Sequence, residues 1–505
     1  MRAAVLVAAV LAAAGAPGPS RAADGTADAV RDFVRAYASK DPRVRKKAVG
    51  MLEAIPGPEA TAALLPALAD EDSPVRQRAR EVLRGRAADA DLAVYAGAGL
   101  RSAAAPVRCF SASALGDAGA RSAGQAGALA ALLRDRDASV RETAAAALGA
   151  TGHRGQAPAV AAAIRSERVP EVRGALLAAL GRLDAREAAG VAASEAARSE
   201  EGPPCVAALR VLASEGPDGA ASAATALLRH PAWEVRIEAA AALARSSRDA
   251  PAGMDALVAA LAKEKRLRAR AAVAAALETL AGVPLGEDAD RWSAWWRRER
   301  AGWTPSRAPA PEAPRRGDDS EGTSRARFYD IPVDSDHVAF VLDTSRSMTD
   351  AARLGRDATK MQLALAEFAK TLAGLREPVV FNVFAFDTVV TPWRPRGVAA
   401  GPSARGEALR FMQKQVLDGR TNIFDALAAA MEDRETDTVF LLTDGAPSAG
   451  EETTRTGFLR GLAHLRRWRP VRVHAVEVGA GNTGTRWKGF LAEIAASTGG
   501  AHLQR

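Results

Sequence analysis

The sequence predicts a multidomain chain, an N-terminal all-α solenoid followed by a C-terminal α/β domain with a mostly parallel sheet. Three observations predict it. A Val-Arg dipeptide recurs about every 32 residues between residues 25 and 283. A Pro-, Ser- and charge-rich stretch without periodicity follows at 304–327. Beyond residue 328, short runs of β-branched and aromatic residues alternate with helical stretches.

A length of 505 residues exceeds one ordinary core, so two or more domains are expected. The 48% apolar and 25% charged residues suit a globular protein. Few aromatics and abundant alanine favour tightly packed helices over a β-sandwich. A net charge of +8 is modest at this length and reads as arginine used on the surface.

At the N-terminus, Arg2 precedes an apolar run of roughly 14 residues and the small residues before Ala22. This pattern predicts a signal peptide over residues 1–22, cleaved after Ala22, and an exported chain, periplasmic or extracellular. The run is shorter than the ~20 residues a membrane span needs. No cysteine follows it, so no lipid anchor is expected, and no integral membrane segment is expected in the mature chain.

The repeats come next. Val44-Arg45, Val75-Arg76, Val107-Arg108, Val140-Arg141, Val172-Arg173 and Val235-Arg236 align, with Leu267-Arg268 at the end and Cys205-Val206 as a degenerate copy. Each follows a turn such as "DPR", "DSP" or "DAS", whose Asp or Pro starts a helix. Second helices such as "TAALLPALAD" and "GQAGALAALLRD" lie between them. Two helices per unit, alanine at the contacts and glycine or proline at the corners make an α-solenoid over 25–283. The signature D-x-x-V-R-x-x-A-x-x-A-L resembles the HEAT repeat family, with about eight copies. The resemblance implies Asp–Arg pairing along the stack, as for Asp41 with Arg45 or Asp137 with Arg141. Cys109 and Cys205 fall three repeats apart, roughly 30 Å at helix spacing. A disulfide needs Cα atoms within about 7 Å, so none is expected between them. With almost no aromatics for base stacking, the solenoid is expected to bind protein, not nucleic acid.

The solenoid closes on "DADRWSAWWRRERAGW" (284–303 with its flanks), where Trp292, Trp295 and Trp296 share one helical face. We read this as a cap on the last repeat, since terminal repeats need an apolar cover. Residues 304–327 read as a flexible linker.

From 328 to 505, "HVAFVLD", "PVVFNVFAFD", "DTVFLLTD", "VRVHAVEVG" and "GAHLQ" are expected strands of a Rossmann-like sheet with helices on both faces. Ligands of such sheets bind beyond the carboxyl ends of the strands. Three segments at that edge carry oxygen ligands: "DTSRS" with Asp343, Ser345 and Ser347, "DGRTNIFDAL" with Thr421, and "LLTDGAP" with Asp444. Two carboxylates and three hydroxyls, without histidine or cysteine, suit a hard divalent cation, Mg²⁺ above all, with Mn²⁺ or Ca²⁺ as alternatives. Alternation sets Asp343, Ser345 and Ser347 on one side of the turn, away from Thr344 and Arg346.

In order, D-x-S-x-S, a distant T-N and T-D-G resemble the von Willebrand factor type A (VWA) domain and its metal-ion-dependent adhesion site (MIDAS), over residues 334–505. The resemblance implies that the five residues hold a metal with one position open for a partner's Asp or Glu carboxylate. It therefore implies binding without catalysis. Two departures are visible. Arg420 stands where the family often has a second glycine. The chain also stops at "GAHLQR", where the family's adhesion receptors continue into a moving helix, so affinity switching of that kind is not expected.

The expected function is that of an exported scaffold or adhesion protein, and not an enzyme. The alternatives are a metal-dependent phosphoester hydrolase and an assembly or metal-insertion accessory subunit, the latter known among bacterial relatives of the domain. Against hydrolysis, the three loops hold no general base. His337 falls at the opposite end of its strand, His464 in a helix and His474 in a strand, leaving Asp387 as the one spare acid near the site.

Overall fold

The computed structural model describes residues 21–505 except 217, 247–249, 306–325, 352–357 and 480–486. Residues 1–20 of the expected signal peptide and most of the expected linker lie outside the described residues. The chain forms two compact units, Met1–Arg248 and Asp249–Arg505.

The arginine-bearing helices are α1 (Pro42–Met51), α2 (Ser73–Arg84), α3 (Ala105–Asp117), α4 (Ala138–Thr151), α5 (Pro170–Leu183), α6 (Gly202–Ser214), α7 (Trp233–Arg245) and α8 (Leu267–Ala281). Among the intervening second helices, Pro58–Leu64 and Ala126–Ala131 run on into 3₁₀ turns. Valine and alanine fill the seams. Val75, Ala79, Val140, Ala144 and Leu148 are buried. Gly116 lies so close to the backbone of Ala147 that a Cβ would stand 2.9 Å from its Cα.

One device recurs along the stack. The residue two before the N-cap accepts the N-cap backbone N–H: Asp70 from Asp72, Asp135 from Asp137, Glu167 from Val169 and Glu264 from Arg266. The arginine four after the N-cap then bonds that acid of the next repeat. Arg45 reaches Asp70 at 2.8 Å, Arg108 reaches Asp135 at 2.8 Å and Arg141 reaches Glu167 at 2.7 Å. Its other nitrogen binds the carbonyls five and six residues back, as Arg108 does with Ser102 and Ala103. This corrects the pairing expected from the family resemblance. Asp41 and Asp137 cap their own helices, and Arg45 and Arg141 pair one repeat onward. The last repeat is also shifted: with Arg266 as N-cap, Arg270 holds the arginine place, not Arg268. In the sixth repeat Cys205 holds it. Its Sγ faces the Ser199 carbonyl at 3.4 Å, and His230 stands in the acid's place, 3.8 Å from that sulfur. Cys109 and Cys205 are both free.

In the second unit, helix Ala250–Leu261, α8 and α9 (Ala289–Glu299) lead into the sheet domain. Trp292 and Trp296 are buried, and their indole N–H groups bond the Gly286 carbonyl and Asp255. The sheet boundary read from sequence at residue 328 therefore divides a single compact unit, because α8 bonds the sheet directly. Arg266 pairs with Asp437 at 2.9 Å, and the Leu267 N–H donates to Asp336 at 2.6 Å.

A short hairpin, β1 (Arg327–Phe328) with β2 (Ile331–Pro332), opens the domain. The main sheet runs β5-β4-β3-β7-β8-β9, with β6 also on β4. Its members are β3 (His337–Asp343), β4 (Val380–Phe386), β5 (Val390–Pro392), β6 (Val398–Ala399), β7 (Thr438–Thr443), β8 (Arg472–Glu477) and β9 (His502–Gln504). β3, β4, β7, β8 and β9 are parallel, and only β5 and β6 run antiparallel. Alternating residues of β3 supply two cores: Val338, Phe340 and Leu342 on one face, Ala339 and Val341 on the other. Helices α10 (Lys360–Gly374) and α11 (Pro402–Gln413) cover the first. Helices α12 (Ile423–Ala430), α13 (Arg455–Leu465) and α14 (Phe490–Thr498) cover the second. Such double coverage is why these strands read as continuous apolar runs.

Candidate metal centre at the carboxyl edge of the sheet

β3 is central, with β4 on one side and β7 on the other, so the chain reverses its winding there. The loops after β3 and β7 open at this switch point. Asp343 ends β3 and is fully buried. Its Oδ1 accepts the Ser345 N–H at 2.8 Å, and its Oδ2 accepts the Thr443 hydroxyl at 2.5 Å. Ser345 and Ser347 bring their Oγ atoms within 3.2 Å of each other, and Ser347 donates to Asp444 Oδ1 at 2.8 Å. Thr344 is tucked under β4, its N–H on the Phe386 carbonyl, while Arg346 is exposed.

Thr421 enters from the third loop. Its N–H bonds Ser448 Oγ at 3.0 Å, and its carbonyl accepts the N–H groups of Ser448 and Ala449. Its own Oγ1 is 3.9 Å from where a Cβ on Gly445 would stand, next to Asp444. All five residues singled out from sequence thus gather at one place. Arg420, the departure from the family pattern, donates its N–H to Thr388 and its guanidinium to the Ser448 carbonyl, so it ties three loops together. Gly419 before it adopts φ +78°, and any side chain there would meet Thr388 and Asp387.

The donors are all oxygen, which suits a hard divalent cation. Burial pushes the Asp343 carboxyl up to about 7, against the hydrogen bonds from Ser345 and Thr443, and Asp444 adds to the rise. A buried carboxylate with a second one nearby is a place where a cation relieves a large electrostatic cost. The residues present fit such an ion. Among the described residues no group of three or more His, Cys, Asp or Glu side chains is set to hold a metal, so a site here must draw on hydroxyls.

Sequence reasoning missed two contributors. Thr443 orients Asp343 from the end of β7. Lys360, the first residue of α10, places Nζ 2.6 Å from Asp444 Oδ2 and 3.4 Å from the Ser347 carbonyl. Nothing in the local sequence marks Lys360 out, since it belongs to the site only through folding. The candidate bases lie elsewhere. His337 starts β3 at the far end from Asp343, His464 is exposed on α13 and His474 is buried in β8. Asp387 is near, but its Oδ1 holds the Val389 N–H and its carbonyl the Asn422 N–H, so it serves the turn.

The von Willebrand factor type A domain family matches residues 336–502. That span is a VWA domain. HEAT repeats match residues 2–84 and 96–181, so the helices of the N-terminal region are HEAT repeats. Human von Willebrand factor A domain-containing protein 3B is 25% identical over 166 residues, which is 33% of this chain and 12% of that protein. Human inter-alpha-trypsin inhibitor heavy chain H4 is 32% identical over 132 residues, 24% of this chain and 13% of that one. The chain thus spans about an eighth of the length of these relatives. Among solved structures, the hypothetical protein BatB of Bacteroides thetaiotaomicron is 16% identical, covers 34% of this chain and 89% of its own, and gives a TM-score of 0.26. Kap121p, 13% identical, covers 51% of this chain and 34% of its own at a TM-score of 0.35. VWA and HEAT domains are both protein-interaction modules. Among the described residues no helix is long and apolar enough to cross a membrane.

Proposed function

We propose that this chain is an exported scaffold of adhesion type. Its VWA domain holds Mg²⁺, or Mn²⁺ or Ca²⁺, on Asp343, Ser345, Ser347, Thr421 and Asp444, and takes up a partner's Asp or Glu carboxylate there. Its HEAT repeats hold a second protein. The observation that carries the reading is the joining of the loops after β3 and β7 at a fully buried carboxylate, Asp343, whose donors are the Ser345 N–H and the Thr443 hydroxyl, with the Thr421 hydroxyl beside Gly445. Once bound, the ion supplies a Lewis-acidic position for an acidic side chain. The chain's own part is to orient the ligands: Thr443 fixes Asp343, Ser347 fixes Asp444, and Arg420 with Ser448 fixes the loop of Thr421. The placement of Asp387 and the histidines supports binding over hydrolysis, and the apolar run after Arg2 supports export.

The test is calorimetric titration of the chain beginning at Ala23 with MgCl₂ and MnCl₂, for the parent and Asp343→Ala. The parent is expected to bind one equivalent, and the variant to bind at least ~100-fold more weakly. The same pair, immobilised in Mg²⁺ or in EDTA, is then offered the envelope extract of the producing cell. Capture by the parent in Mg²⁺ alone supports the adhesion reading. Equal metal binding by both proteins would overturn it.

A further inference from the structure

Asp444 is 2% exposed at its side chain, yet neither of its oxygens is free. Oδ1 takes the Ser347 hydroxyl, and Oδ2 takes the Lys360 ammonium at 2.6 Å. Lys360 is itself only 15% exposed, and its Nζ also lies 3.4 Å from the Ser347 carbonyl and 3.5 Å from Asp350.

Several independent features put that ammonium where it is. Thr359 and Gln362 close a reciprocal cap that starts α10 at Lys360. The Lys360 N–H bonds the Asp350 carbonyl at 3.0 Å, and Ala351 bridges Thr359, so the start of α10 is pinned to the end of the Ser347 loop. Gly479, at φ +81° beyond β8, leaves the passage for the side chain. A Cβ there would lie 3.1 Å from Lys360 Cε. The lysine is therefore held in the site by its helix cap, by a backbone bridge and by a gap in the neighbouring loop.

Resting on the metal reading above, we propose that Lys360 is a tethered cation that competes with the divalent ion for Asp444 and so sets the metal affinity of this site. Without metal, the ammonium neutralises Asp444 beside the buried Asp343. A divalent ion drawing on Asp444 is repelled by the ammonium on Oδ2, and Asp350 and the Ser347 carbonyl offer that ammonium a landing place within 3.5 Å. Their mutual repulsion across one carboxylate lowers the affinity for the ion as long as the ammonium stays.

The experiment compares the parent with Lys360→Met and Lys360→Arg, by calorimetric titration with MnCl₂ and by thermal unfolding in EDTA and in MgCl₂. Lys360→Met is expected to bind Mn²⁺ tighter by roughly tenfold or more, because the competing charge is gone. In EDTA it should melt below the parent, because Asp444 is then uncompensated, and Mg²⁺ should raise its melting temperature more than it raises the parent's. Lys360→Arg keeps the charge and is expected to keep an affinity near the parent's. The melts also report whether each variant folds. Equal or weaker Mn²⁺ binding by folded Lys360→Met would overturn the competition and leave the metal site standing. Absence of binding in the parent and in both variants would overturn the metal reading and this inference together.

Discussion

His474 carries the clearest consequence at the scale of single residues. Its ring stacks on Phe440 with centroids 4.8 Å apart, its Nδ1 accepts the Ala501 N–H, and it is 5% exposed. Burial pushes its pKa down to about 4, and the cations of Arg472 and Arg268 push the same way against Asp334. A histidine held neutral in the fold binds its proton more readily once unfolded. Stability is therefore complete above the ordinary value near 6.5 and is lost as pH falls from there towards about 4. The loss is expected to reach at most about 3 kcal/mol, and His474→Asn, which keeps an acceptor for Ala501, should flatten that limb of a urea-denaturation series run from pH 7.5 to 4. An unchanged pH profile in the variant would place the acid sensitivity elsewhere. Legibility divides the same way among single residues. Asp343, Ser345, Ser347 and Asp444 were readable because each lies in a short motif at a strand end, and Thr421 because its motif opens a helix. Lys360 was not, because its approach to Asp444 depends on a bridge, a cap and a glycine in three different segments. For His474 the sequence gives only a place in a strand, since nothing local says that Phe440 covers it.

At the scale of elements, the repeat shows what periodicity encodes and what it hides. The strands "HVAFVLD" and "DTVFLLTD" were found because doubly covered parallel strands are apolar throughout. Short antiparallel β5 and β6 and helix α11 were not, having neither a run nor a clear period. The Val-Arg spacing located the helices but misplaced the last register, because Leu267-Arg268 and Ala269-Arg270 differ by half a turn and only N-cap geometry decides between them. That geometry also explains Cys205. It occupies the arginine place while His230 occupies the acid place, so both members of the rung are replaced together by a smaller, uncharged pair. Cys205→Arg alone is expected to destabilise the first unit, because it sets a buried guanidinium against a histidine. His230→Asp alone leaves a buried carboxylate without its cation. The double change rebuilds the rung seen in Arg108 and Asp135, so its cost should fall short of the summed single costs by about 1 kcal/mol or more in a urea double-mutant cycle. Simple additivity would show that the two positions do not act as a rung.

For the whole molecule, the informative fact is where the compact units divide. Composition draws the border at the Pro-rich stretch, whereas packing draws it at Arg248 and Asp249, three helices earlier. The reason is a set of contacts between residues 69 to 202 positions apart, which no local pattern announces. Asp437 is fully buried where β7 begins. Its Oδ1 takes the hydroxyls of Ser335 and Thr438, and its Oδ2 takes Arg266 from the start of α8. Arg266 also binds Glu435, Asp336 accepts the Leu267 N–H, and Arg268 donates to the Pro470 carbonyl. Free N–H groups at a helix start thus meet carboxylates of the sheet domain. Helix α8 and the VWA domain are expected to unfold together in a fragment spanning 249–505 that carries Trp393→Phe, Trp468→Phe and Trp487→Phe, with fluorescence from the tryptophans of 292–303 and far-ultraviolet dichroism giving one coincident transition. Arg266→Ala leaves Asp437 buried without its cation, which costs about 3–5 kcal/mol. At this size that lowers both transitions by roughly 10 °C. Metal binding at Asp343 should be unchanged in the folded variant, since Asp437 and Asp343 mark opposite ends of the paired strands β7 and β3. Two separate transitions in the parent fragment, or a tryptophan transition that shifts alone, would show that these three helices only rest on the domain and share none of its stability.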